Sequence, residues 1–148
     1  MIEINNIQEI EKYLKKIECD PIRDSTLITY VFQSNGILED VVFNVEIPFR
    51  VDDLIEQSLC EPLKEYCFVT KNITMKKCGG LYKLIANNIT TSCICDITHI
   101  ESTGDVNSHV LSVDSIIANS VTARSLIVGR YHNVKNIAVE NLYLPSNT

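Results

Sequence analysis

Cys93 and Cys95 stand one residue apart, with Cys78 upstream and His99 just downstream. Thiolate and imidazole are zinc ligands, so this is the set best able to do chemistry. Zinc knuckles, however, space their cysteines two to four apart and add a second matched pair. Here the second pair is missing. Two cysteines of equal parity in a short extended stretch face the same way. A buried free thiol also behaves as a small apolar residue. The structural reading is preferred, with a Cys/His metal protein kept as a second alternative, and no cofactor is expected. His99 lies near Asp96 and Glu101, His109 near Asp105, and His132 near no carboxylate. No nucleophile, base and orienting group assemble from them. GxGxxG, Walker, HExxH and GxSxG motifs are absent from the sequence. No catalytic residue is assigned, and the chain does not read as an enzyme.

Charge is the next candidate. The net charge is −6. Residues 1–70 hold 14 acidic and 6 basic side chains, whereas residues 71–148 hold 5 and 7. Glu39, Asp40, Glu46, Asp52, Asp53 and Glu56 therefore form an expected partner-binding acidic surface. Such a surface attracts basic partners and repels nucleic acid. Lys76, Lys77 and Lys83 with Tyr82 make too short a patch for a nucleic-acid contact in an acidic chain. The expected partner is a protein, basic or itself nucleic-acid-binding. No apolar run is long enough for a membrane span. The start carries no legible secretion signal, so the six cysteines read as free thiols in a cytoplasmic protein.

A repeat dominates the second half. Large apolar residues recur every fifth position at Val106, Leu111, Ile116, Val121, Leu126 and Tyr131. Two positions later stand Val113, Ala118, Ala123 and Val128. A period of five fits neither the helix period of 3.6 nor the strand period of 2. It fits a coil with four short sides, each turning one large and one small residue inward. The pattern reaches back through LYKLI, ANNIT and TSCIC, slips near Gly104, and resumes after one insertion at VKNIA and VENLY. Pro145 marks its end.

The first half reads differently. Asn6 with Glu9 fits a helix N-cap. Ile7, Ile10, Leu14 and Ile17 then share a helical face until Pro21. Leu27–Gln33 and Val41–Ile47 read as strands joined by a turn at Ser34-Asn35-Gly36. A second helix follows Asp52 or Asp53 and stops at Pro62. The expected organisation is an acidic α+β cap over residues 1–72, helix-hairpin-helix in form, packed on a solenoid over residues 73–148.

The units ANNIT, ANSVT, ARSLI, VKNIA and VENLY resemble pentapeptide-repeat proteins and related five-residue β-solenoids. In the common pentapeptide repeat the small residue lies two before the large one; here it lies two after. The resemblance implies a right-handed quadrilateral β-helix of roughly 20 residues per coil in three to four coils. It also implies a non-enzymatic inhibitor of a nucleic-acid-handling complex. Small acidic chains of this composition are similar to phage-encoded anti-defence proteins of the anti-CRISPR type, which implies action in a host-cell cytoplasm. The alternative is a structural or assembly solenoid. Ile127, Tyr131, Leu142, Tyr143 and Leu144 are unusually apolar for a final coil and are the expected homodimer contact.

Overall fold

The computed structural model describes residues 1–22, 25–34, 36–47 and 63–144. Strand accounts for most of them. In chain order come β1 (Ile2–Ile4), α1 (Ile7–Glu11), β2 (Leu14–Ile22), β3 (Ser25–Phe32) and β4 (Val41–Phe43). Then follow β5 (Leu63–Val69), β6 (Asn72–Met75), β7 (Cys78–Ala86), β8 (Asn88–Thr91), β9 (Ile94–Ser102), β10 (Asp105–Asn107) and β11 (Val110–Tyr143). The strands form two parallel stacks. β1, β4, β6, β8 and β10 build one, and β3, β5, β7 and β9 build the other. β11 runs through both, so the strands wind as a β-solenoid.

Each turn of the coil is about sixteen residues. Ile73 pairs with Ile89, Ile89 with Val106, and Val106 with Val121, at steps of 16, 17 and 15. Lys83, His99 and Ser115 step by 16 each. One turn buries three doublets: Ile73 and Met75, Cys78 and Leu81, Leu84 and Ala86. The next buries Ile89 and Thr91, Cys95 and Ile97, Ile100 and Ser102. Three five-residue sides plus a corner residue account for the turn, so the expected quadrilateral coil of roughly 20 residues is corrected to a three-sided one. The five-residue period sets the length of a side and says nothing about how many sides close the coil.

The predicted helix-hairpin-helix cap is overturned as well. The one helix among the described residues is α1, five residues long. Its start is as read: the Asn6 side chain accepts from Glu9 N at 3.0 Å, and Glu9 accepts from Asn5 N at 3.0 Å. It stops before Leu14 because the chain from there pairs antiparallel with β3. Pairing with β3 outweighs a helical apolar face that five residues cannot sustain alone. The predicted hairpin between Leu27–Gln33 and Val41–Ile47 does not form either. β3 joins β2 and β5, whereas β4 joins β1 and β6. Of the expected turn, Asn35 lies outside the described residues; Gly36 has φ 94, and Ser34 Oγ donates to Ile37 O at 2.7 Å. The second helix predicted after Asp52 lies outside the described residues. Pairing is continuous from β4 to β6 and from β5 to β7, across the expected boundary at residue 72.

The interior is a set of columns. Ile2, Val41, Ile73, Ile89, Val106 and Val121 form one, all buried. Phe32, Phe68, Leu84, Ile100 and Ile116 form another. Near the N-terminal end the columns turn aromatic. Phe32 lies 4.8 Å from Phe68 and 5.5 Å from Phe43 by ring centroids, and Tyr13 lies 5.3 Å from Phe32. Such tilted pairs add to what area alone stabilises. A polar column runs outside one corner. Asn72 Nδ2 donates to Asp40, Asn88 Nδ2 donates to Asn72, Asp105 N donates to Asn88, and Asn119 Nδ2 and Ser120 Oγ donate to Asp105, all within 2.7–3.1 Å.

Three outcomes follow. Phe68→Ala, in a fully buried site, lowers the stability read by chemical denaturation by about 3–5 kcal/mol. A Cβ on Gly104 would sit 2.7 Å from the backbone oxygen of Asn87 and meet the Asn88 side chain. Gly104→Ala therefore costs about 1–3 kcal/mol in the same measurement. The hydrogen bonds from Ser120 and then Asn119 hold the Asp105 carboxyl below its usual range. A lowered folded-state pKa gives stability above the unfolded value that is lost as pH falls through the folded one. In an NMR titration Asp105 has its midpoint below that of an ordinary aspartate, and Ser120→Ala with Asn119→Ala raises it.

Candidate functional site

A coil in the middle of the stack covers its interior row with its neighbours. The last coil does not. Asp114 to Arg130, Arg124 to Glu140 and Ser125 to Asn141 are contacts sixteen residues apart that seat the final turn on the one before. The same step sets Ile137 over Val121 and Leu142 over Leu126. Val134, Ile137 and Val139 pack partly against the core. Beyond them no described strand pairs with the outer edge. Tyr131 and Tyr143 are 51% and 58% exposed, and Leu142, Leu144 and Ile127 are exposed too. All five residues expected to form a dimer contact therefore present apolar surface on or beside the final coil.

The opposite end is closed. α1 puts Ile10 into the core, and Tyr13 joins the phenylalanine cluster. The outer strand of one stack is β1, only three residues long; the other is β2, which carries Lys15, Lys16 and Pro21. Shortness, lysine and proline are the usual ways of blunting an edge.

The acidic set is less available than its composition suggested. Glu39 lies 3.7 Å from the N-terminal ammonium, and Glu46 lies 3.6 Å from Lys77 Nζ. Asp40 accepts from Asn72 at 2.8 Å. Both ion pairs are about half exposed, so each stabilises by no more than about 1 kcal/mol. Their effect on a partner is to mask charge. Asp52, Asp53 and Glu56 lie outside the described residues.

The thiol and imidazole set separates. Cys78 and Cys95 are register partners in the core, while Cys93 is exposed. The neighbouring Cys95 thiol, then burial, pushes the Cys78 thiol well up, and the same neighbour relation holds Cys95 below its ordinary value. His99 faces the other way, where Nδ1 and Ser115 Oγ share a hydrogen bond of 2.6 Å. Among the described residues no three histidine, cysteine or carboxylate groups converge as metal ligands.

Sequence reasoning missed the groove that His99 lines. Tyr82, Lys83, His99, Glu101, Ser115 and Ile117 enclose about 300 Å³ on the outer face of β7, β9 and β11. Tyr82 meets the His99 ring edge-on at 5.1 Å, and Lys83 pairs with Glu101 at 3.2 Å. Its polar groups thus bond to each other. The signal was the sixteen-residue spacing of Lys83, His99 and Ser115, visible only once the coil length is known. No helix among the described residues is long and apolar enough to cross a membrane. No family model, curated protein or solved structure matches this chain.

Proposed function

We propose that this protein is a non-enzymatic assembly module in which the open C-terminal coil joins a second copy. The observation that carries this reading is the contrast between the two ends. One end is plugged with aromatic rings and blunted at its edges. The other offers an unpaired strand edge with Leu142 in line with the interior row, and Tyr131, Tyr143 and Leu144 exposed on the final coil. A solenoid end of that kind exposes both apolar surface and backbone donors and acceptors. Tyr131 and Tyr143 are each about half exposed, and covering their rings removes apolar surface from water, which favours the contact. Head-to-tail growth has no second open end to use. Two copies meeting end to end leave no such surface uncovered, which is how an isologous contact closes.

An acidic surface that blocks a nucleic-acid-handling complex is the competing reading. It draws less support, because Glu39, Asp40 and Glu46 each hold an internal partner.

The test is mass in solution. Light scattering on an eluting column finds a dimer at tens of micromolar, and Leu142→Glu with Tyr143→Glu finds a monomer of unchanged circular dichroism. A wild-type chain that stays monomeric at hundreds of micromolar overturns the reading.

A further inference from the structure

Cys78 and Cys95 are placed for a reaction that the assembly reading does not use. They are register partners on neighbouring parallel strands, β7 and β9. Both are buried, at 2% and 0% exposure. Adjacent strands lie about 4.8 Å apart, inside the Cα separation of about 4.4–6.8 Å that a disulfide spans. The two thiols are register partners in the buried interior. Cys78 sits where the β7–β9 register shifts, before Gly79 and Gly80, and Gly80 has φ 149. An irregularity of this kind is where a ladder opens locally, which gives an oxidant its way in.

We propose that Cys78 and Cys95 form an oxidation site that closes to an intramolecular disulfide and staples two successive coils. The oxidant is a small-molecule disulfide such as glutathione disulfide. One cysteine thiolate attacks it, forming a mixed disulfide and releasing one glutathione thiolate. The second cysteine thiolate then attacks the protein sulfur of that mixed disulfide and expels the other. Two protein thiols lose two protons and two electrons, and glutathione disulfide is reduced to two glutathiones. The more acidic thiol of the pair, Cys95, is the better placed to attack first.

The ring so closed holds the strand between two coils, shrinking the unfolded ensemble more than the folded one. Oxidation therefore raises the melting temperature by several degrees, and dithiothreitol reverses the rise. A loop without such a staple would show no reversible change.

The experiment uses the full chain with Cys93→Ser, so that Cys95 is the one cysteine on its tryptic peptide. Cleavage after Lys77 and Lys83 puts Cys78 and Cys95 on different peptides. The protein is incubated with glutathione disulfide, once in buffer and once in urea below the unfolding transition, to favour local opening. The expected product is a cross-linked pair of these two peptides, about 2 Da lighter than their sum, with the reversible rise in melting temperature. Glutathione adducts confined to other cysteines, or Cys78 and Cys95 recovered as free thiols from both incubations, overturn the proposal. Cys78→Ser must abolish both the cross-link and the rise; a rise that survives it overturns the proposal too.

Discussion

No coil of this solenoid can bury its own interior row. Sixteen residues bent around three sides expose six inward side chains above and below, and only another coil covers them. The fold is therefore held by stacking between turns, as in repeat proteins generally. The buried column from Ile2 to Val121 is the direct expression of that constraint. So is the polar column from Asp40 to Ser120, which passes hydrogen bonds from turn to turn along one outer corner. Both ends of such a stack need a separate solution. At the N-terminus it is a short helix and an aromatic plug; at the C-terminus the described residues supply none.

This constraint also decides which parts of the fold were legible. Leu111, Ile116, Val121 and Leu126 are all buried, as their spacing required. A side chain that must point inward leaves a periodic mark, so the row could be read. The number of corners leaves no mark, because a coil of three or four sides shows the same period of five. Only the pairing of Ile73 with Ile89, sixteen apart, fixes it. The N-terminal region was harder for a related reason. Ile7, Ile10, Leu14 and Ile17 match a helical face, yet Ile10 is buried within α1 while Ile17 is exposed on β2. Four residues happened to satisfy one period while belonging to two elements. Pro21 was read as a helix stop, but β2 is an outer strand, where a missing donor costs little.

The site residues divide in the same way. Tyr131, Leu142, Tyr143 and Leu144 could be named from sequence because apolar residues at the end of a repeat have nothing left to pack on. The acidic residues could be named but not weighed. Whether Glu46 is free or paired to Lys77 depends on a contact across 31 positions that no local pattern encodes. The groove at His99 was invisible for the same reason, since Lys83, His99 and Ser115 come together only through the coil length.

The cysteines find their explanation in volume. Two inward positions flank one corner of the coil and vary against each other along the axis. The first runs from Met75 through Thr91 and Ser108 to Ala123. The second runs from Cys78 through Cys95 to Leu111 and Leu126. As the first shrinks from methionine to alanine, the second grows from cysteine to leucine. A prism of constant cross-section, packed to the density of a crystal, demands such compensation. Cys78 is small because Met75 beside it is large. Cys95 faces a different problem, since Thr91 brings a hydroxyl into the same layer. That hydroxyl donates to Ser108 Oγ at 2.6 Å, and a small, weakly polar thiol leaves room beside it where a leucine would not. The adjacency of the two thiols is thus a consequence of how the interior is filled, set by the width of the coil before any chemistry is asked of it.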